Sequence, residues 1–306
     1  MVKSKITRGK FLSTALAGLA GMKLLPKTFN ADRSPVPELR EVGRTGIKVS
    51  PVCFGASRTN NESLIRYALD KGINFIDTGR SYANGNNEKL VGNAVSGIRE
   101  KVVIQSKIRL DPEEVPSGGK GKKGTEEIKK ALWPKIEASL KALNTEYIDI
   151  LLYHDAREES LLFHPEVMKF YDELKSSGVI RAHGFSNHNE YLNLPERNNR
   201  EGFYDVIMIP FNHSGSFVHS VSGRYSEWNQ DRLIAALTEA WKKERGIIAM
   251  KTCSGGKYSG SPDTEPGFAD AVKWVIRHPF VSSAAVAMAS FEQVDDYVPL
   301  PVQLNV

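Results

Sequence analysis

An α/β fold, with eight parallel strands closed into a barrel inside a ring of helices, follows from three features of this 306-residue sequence. Short apolar runs alternate with longer amphipathic segments, the pattern of repeated strand and helix units. Eight such runs can be counted, and they are as continuously apolar as strands buried on both faces require. Several end in a residue that can handle a proton or a charge, as the strands of a barrel with its chemistry at one mouth do. Such a barrel takes about 250 residues as one domain, and a chain that is 41% hydrophobic can bury its core.

Element by element, a polar linker at 30–37 leads into residues 39–50, which read as two short strands around Gly43 and Gly46. The alternation then predicts a strand at 52–55, a helix at 62–71, a strand at 74–76, a helix at 88–95 and a strand at 102–106. The loop 110–124 holds Pro112, Pro116 and Ser117-Gly-Gly-Lys-Gly-Lys-Lys123; it reads either as a solvated connection or as a cover over a substrate. A helix at 125–143, a strand at 147–153, a helix at 165–177 and a strand at 180–185 follow. The last units are strand 204–209, helix 231–243, strand 247–250, helix 267–278 and strand 281–287. Between them lies an irregular stretch, 212–229, with His213, Phe217, His219, Tyr225 and Trp228; it reads as a pocket wall or as surface packing. Trp133, Trp241 and Trp274 fall in helices and are expected in the core.

The strand ends carry the chemistry. Asp77 follows Gly72-Ile-Asn-Phe-Ile, Tyr82 comes five residues later, Lys107 follows Val102-Val-Ile-Gln-Ser, and His154 follows Tyr147-Ile-Asp-Ile-Leu-Leu-Tyr. Any one of these alone is an ordinary surface or packing residue. Together they suit hydride addition to a carbonyl, where the developing alkoxide needs a proton donor and a field that stabilises negative charge. Tyr82 is the candidate donor. A free phenol titrates at about 10, so it needs a cation such as Lys107 to stabilise its phenolate. Asp77 would anchor the lysine, and His154 would hydrogen-bond the substrate oxygen. A hydrolase built on Asp77 and His154 lacks a metal set or a paired carboxylate.

Three segments, Asn74-Phe-Ile-Asp-Thr-Gly-Arg-Ser-Tyr82, Val102-Val-Ile-Gln-Ser-Lys107 and Tyr147-Ile-Asp-Ile-Leu-Leu-Tyr-His154, resemble the catalytic tetrad segments of the aldo-keto reductases. Gly184-Phe-Ser-Asn187 and Gly246-Ile-Ile-Ala-Met-Lys251 extend the resemblance, the second toward a bacterial subgroup, and the likeness covers roughly residues 39–298. It implies a (β/α)8 TIM barrel with the hairpin at 39–50 plugging its bottom. It also implies a small carbonyl substrate and a reduced nicotinamide cofactor, NADPH or NADH, lying across the mouth. The implied cofactor contacts are Gly55, Ser186, Asn187, Met208, Met250, Lys251 and Gln293, with Ser186 and Asn187 matching the pair that holds the carboxamide.

Some positions depart from the family. Met208 stands where a carboxamide-binding Gln is common, and Met250 where many members place a ring-stacking Tyr, which a thioether replaces in part. Ala289, Gln293, Asp296 and Tyr297 occupy the adenosine-end positions, so no arginine there grips a 2'-phosphate, and weak preference between the two cofactors is expected. The chain, ending at Val306, also stops short of the family's usual final helix and substrate loop. The resemblance leaves a second reading open: a cofactor-binding barrel acting as a non-catalytic redox-sensing or regulatory subunit, as potassium-channel beta subunits resemble these enzymes.

The net charge is +5, but Lys3, Lys5, Arg8, Lys10, Lys23 and Lys27 precede the first acid, Asp32, which leaves the remainder at −1. The basic character belongs to the amino terminus and argues against a nucleic-acid partner. Cys53 and Cys253 have no metal or disulfide spacing and read as small buried or half-buried thiols. Residues 1–37 read as a leader and linker, and 38–306 as the barrel domain. A basic start followed by Phe11-Leu-Ser-Thr-Ala-Leu-Ala-Gly-Leu-Ala-Gly21 has the layout of an export signal. Thr7-Arg8-Gly9-Lys10-Phe11-Leu12 resembles a twin-arginine motif whose second arginine has become Gly9. Transient contact with export machinery and a periplasmic location follow if it works; a tethering leader on a cytoplasmic enzyme is the alternative.

Overall fold

The computed structural model describes residues 38–298 apart from 112–113, 115–121, 190, 220–221 and 254–266. The leader and most of the loop at 110–124 lie outside these residues. The first strands, β1 (Arg40–Glu41) and β2 (Lys48–Val49), pair antiparallel as a hairpin. The barrel strands are β3 (Val52–Gly55), β4 (Phe75–Asp77), β5 (Val103–Ile108), β6 (Ile148–Tyr153), β7 (Ile180–Ser186), β8 (Val206–Pro210), β11 (Gly246–Met250) and β12 (Ser283–Ala287). They run parallel and close in chain order, with β12 pairing back onto β3. The chain is a (β/α)8 TIM barrel.

The outer ring contains α1 (Glu62–Asp70), α2 (Asn86–Ala94), α3 (Lys122–Leu143), α5 (Pro165–Ser176), α7 (Gln230–Lys242) and α8 (Phe268–Ile276). A short α4 (Glu159–Leu162), α6 (Asn193–Glu201) and α9 (Phe291–Tyr297) complete the helices among the described residues. Several starts are written in the sequence: the side chains of Asn61, Asn229 and Ser290 accept from backbone N–H groups of the first turn of α1, α7 and α9. Pro165 begins α5, where its missing N–H costs nothing.

Strand alternation decides which side chains enter the barrel. Cys53, Phe75, Val103, Ile150, Leu152, Ala182, Val206, Met208, Ile248 and Met250 form an interior cluster. Continuing each strand in the same phase puts Gly55, Asp77, Gln105, Lys107, His154 and Ser186 on the inward side. Ile104, Leu151, Phe185, Ile207 and Ala249 point outward and meet the helices in the larger cluster.

The hairpin closes the bottom. Val42, Ile47 and Val49 join the interior cluster, and the Arg44 N–H donates to Glu244 O at 2.9 Å. Gly43 has φ +52°, and a Cβ there would run into the backbone of Glu244 and Gly246, so glycine is required.

Three expectations need correction. The polar helix α6 has no counterpart in the apolar pattern, because it is held by buried asparagines: Asn198 pairs with Tyr204 N and O, and Asn199 Nδ2 donates to Ala236 O. The stretch 212–229 is not irregular, since β9 (Ser216–Val218) and β10 (Tyr225–Glu227) pair as a hairpin. Trp133 and Trp241 are each 43% exposed rather than core. Each follows a buried residue, Leu132 or Ala240, and so lies about a quarter turn off the apolar stripe. Trp274 does pack inward, against Phe211 at 5.2 Å between ring centroids.

Candidate active site

At the end of β5, Lys107 is 1% exposed, and burying an ammonium requires partners. It has three. Nζ donates to Asp77 Oδ1 at 2.5 Å, to Thr78 O at 2.7 Å and, at a longer 3.3 Å, to Tyr82 Oη. Gln105 Nε2 donates to the same Asp77 oxygen at 2.6 Å and to Met208 Sδ at 3.4 Å. The His154 ring stands edge-on to Tyr82, with 5.6 Å between centroids. Its Nδ1 lies 3.3 Å from Ser81 Oγ, which leaves Nε2 without a hydrogen-bond partner among the described residues. The four predicted residues Asp77, Tyr82, Lys107 and His154 are thus brought together at the carboxyl ends of the strands.

Burial alone would push the Lys107 ammonium down, but Asp77 and Tyr82 outweigh it and hold its pKa above the ordinary lysine value. Burial pushes the Tyr82 phenol above its ordinary value, and the pull of Lys107 does not cancel it. The cation thus pulls in the expected direction, toward a stronger acid, and burial outweighs it. Burial, then Lys107, His188 and Arg109, drives His154 well below the usual imidazole range, so its ring is neutral.

The residues implied for the cofactor divide. Ser186 and Asn187 are buried at the end of β7; Ser186 Oγ accepts from Asp155 N at 3.0 Å, and Asn187 N donates to Met208 O at 3.1 Å. Lys251, just past β11, is lowered by burial and then by Arg58, and no carboxylate among the described residues pairs with it. Met208 and Met250 both sit in the interior cluster below the mouth. Gly55 has a packing reason of its own, since a Cβ there would meet Val286 O at 2.9 Å. Gln293 spends Oε1 on Ala289 N at 2.7 Å.

Other site residues were missed in the sequence. Gln105 could have been found, because it lies two residues before Lys107 and shares its face. His188 could not; its Nδ1 is buried without a hydrogen-bond partner among the described residues, its ring faces His219 at 6.2 Å, and burial followed by Lys251 lowers its pKa to about 4.

Residues 53–270 match the model of the aldo/keto reductase family, most of the chain. The chain belongs to that family. Among its relatives, methylglyoxal reductase YeaE of Escherichia coli is 34% identical over 132 residues, 43% of this aldo-keto reductase and 40% of the relative. The chain spans about half the length, or less, of the curated relatives it matches first. The solved aldo-keto reductase of Bacillus halodurans in its holo form superposes with a TM-score of 0.67 at 21% identity, covering 87% of this chain and 92% of that one. An aldo/keto reductase of Klebsiella pneumoniae in complex with NADP and acetate gives 0.63 at 22%, covering 85% and 88%. These two likenesses concern the fold.

Proposed function

We propose that this aldo-keto reductase reduces an aldehyde or ketone to an alcohol with NADPH or NADH. The observation that carries the reading is the Lys107 ammonium held between Asp77 Oδ1 and Tyr82 Oη. Tyr82 Oη gives its proton to the carbonyl oxygen as the oxygen becomes an alkoxide, and Lys107 stabilises the phenolate left behind. Asp77 keeps the lysine charged and in place. The neutral His154 donates from Nε2 to the same oxygen and fixes its direction. When bound, the reduced nicotinamide supplies the hydride.

The mouth suits such a cofactor: Ser186 and Asn187 offer buried polar groups for a carboxamide, and Lys251 with Arg58 offers positive charge for a pyrophosphate. Gly55, Met208, Met250 and Gln293 complete the proposed surroundings. The relative named as a methylglyoxal reductase makes small aldehydes the first substrates to assay, and the NADP bound in the Klebsiella pneumoniae structure makes NADPH the first cofactor. Consumption of the reduced cofactor on adding methylglyoxal or another small aldehyde tests the reading. Tight cofactor binding with no turnover across aldehydes and ketones would favour a non-catalytic regulatory subunit.

Residues 1–37 belong to the same proposal as an export leader ahead of the barrel domain. Fusing them to a folded reporter and measuring its export checks this; retention of the reporter in the cytoplasm would refute it.

A further inference from the structure

The segment that carries Tyr82 is unusual in its backbone. Ala83, Asn84 and Gly85 follow it with φ of 47°, 54° and 85°, three left-handed residues in a row. Only the glycine adopts this freely; Ala83 meets a steric cost there and Asn84 a smaller one. Such a turn persists only where its surroundings hold it. Up to Arg80 the backbone is fastened to β5, with Thr78 N donating to Gln105 O at 2.9 Å and Arg80 N donating to Lys107 O at 3.0 Å. Beyond Arg80 these ties end, and Tyr82 N reaches only Gly79 O within its own turn.

What holds the far side is a side chain. The Arg80 guanidinium crosses the turn and pairs with Glu88 Oε2 at 2.7 Å on α2, a carboxylate with no exposed surface. Ser106, the neighbour of Lys107 on β5, donates from Oγ to the other Glu88 oxygen at 2.6 Å. Gly85 gives the guanidinium its place: a Cβ there would fall on Arg80 Nη2. Burial pushes the Glu88 carboxyl above its usual range, against the pull of Ser106, Ser139 and then Arg80.

We infer that Arg80, clamped over Gly85 by Glu88, is a positioning residue that holds the Tyr82 hydroxyl against Lys107. Its guanidinium is engaged by Glu88 rather than by the reacting atoms. It acts by fixing the turn, and a misplacement of the acid by a fraction of an ångström is enough to slow proton transfer. The inference rests on Tyr82 as the acid for its kinetic consequence, but not for its structural one.

The test uses the full-length protein with ring-labelled tyrosine, the Tyr82 resonance being assigned by its loss in Tyr82→Phe. In Arg80→Met the Tyr82 titration midpoint moves by about half a pH unit or more, because its distance from Lys107 and from solvent changes. Counted per cofactor-binding site, kcat falls about tenfold or more while KM changes less than about threefold. Arg80→Lys, which keeps a cation within reach of Glu88, recovers part of the loss. Should Arg80→Met lose folded protein by stranding Glu88, the double variant Arg80→Met/Glu88→Met removes both charges and is read in the same way. An unmoved Tyr82 titration with unchanged kcat per site overturns the inference. A parent that reduces no carbonyl would sink the functional reading and leave the tyrosine titration to decide this one.

Discussion

Near the foot of the barrel, Asp149 accepts from Arg99 Nη2 at 2.8 Å, Arg181 Nη1 at 2.7 Å and Ile104 N at 3.0 Å. At the mouth, Asp77 gathers Gln105 and Lys107 on one oxygen, and the lysine keeps a further, longer bond for Tyr82. Both are buried carboxylates facing cations. Asp149 has both oxygens engaged by arginines, and Arg99 covers the face of the Tyr147 ring at 4.1 Å and donates to its backbone oxygen rather than to its hydroxyl, so its network is scaffold. The Asp77 network ends on a phenol with a proton to lose. The same ion-pair chemistry is therefore structural or reactive according to what the cation can still reach.

The largest effect expected from breaking this contrast is at the mouth. Tyr82→Phe keeps the ring and removes the proton, so carbonyl reduction should fall about 10²–10⁴-fold with cofactor binding and melting temperature nearly unchanged. Turnover close to that of the parent on an aldehyde would show that another group is the acid.

At the foot the prediction reverses. Asp149→Ala leaves two guanidinium groups without their acid and should lose about 3–5 kcal/mol of stability, while kcat per folded molecule stays near the parent value. Denaturant unfolding and active-site counting separate the two quantities. A kcat loss as large as that of Tyr82→Phe would mean that the two regions are not independent.

A smaller effect concerns acid. Burial, and then Lys251, holds His188 at about 4 in the folded protein, against about 6.5 for a free imidazole. Between these values the unfolded chain binds a proton that the folded chain does not. The contribution of this ring to stability is therefore full above about pH 6.5 and is lost as pH falls toward about 4. His188→Gln should flatten the decline of melting temperature over that window, and identical slopes would mean that the folded ring is already charged.

The smallest effect is on cofactor choice. Ala289 and Gln293 bring no cation to a 2'-phosphate, and Gln293 is occupied by the Ala289 N–H. Lys251→Ala should weaken NADPH and NADH by similar factors, since a pyrophosphate is common to both. In the parent, a preference for NADPH of about a hundredfold would reveal an unassigned basic contact.

The strands were legible because each is a short apolar run with its charged residue at the end, and the burial of Val103, Ile104 and Ile108 around Lys107 repays that reading. The tetrad residues were legible as types in order, though their roles rest on the resemblance. What was hidden had tertiary causes. Helix α6 carries buried asparagines where an apolar stripe is looked for, and the acidity of Tyr82 depends on how far burial outweighs a cation, which no spacing records. Arg80 reads as an ordinary loop arginine until Gly85 and Glu88 are seen beneath it. Gly55 reads as a cofactor contact until the approach of Val286 gives it a second reason.

The hairpin beneath the strands turns the barrel from a tube into a cup. Val42, Ile47 and Val49 keep water away from the floor, and the apolar layer above them extends that dry region up to Asp77 and Lys107. Among the described residues, the floor is shut and the mouth is the side from which Tyr82 is approached. Removing the hairpin would let solvent rise from underneath, raise the local dielectric around the ion pair and weaken the attraction on which the lysine depends.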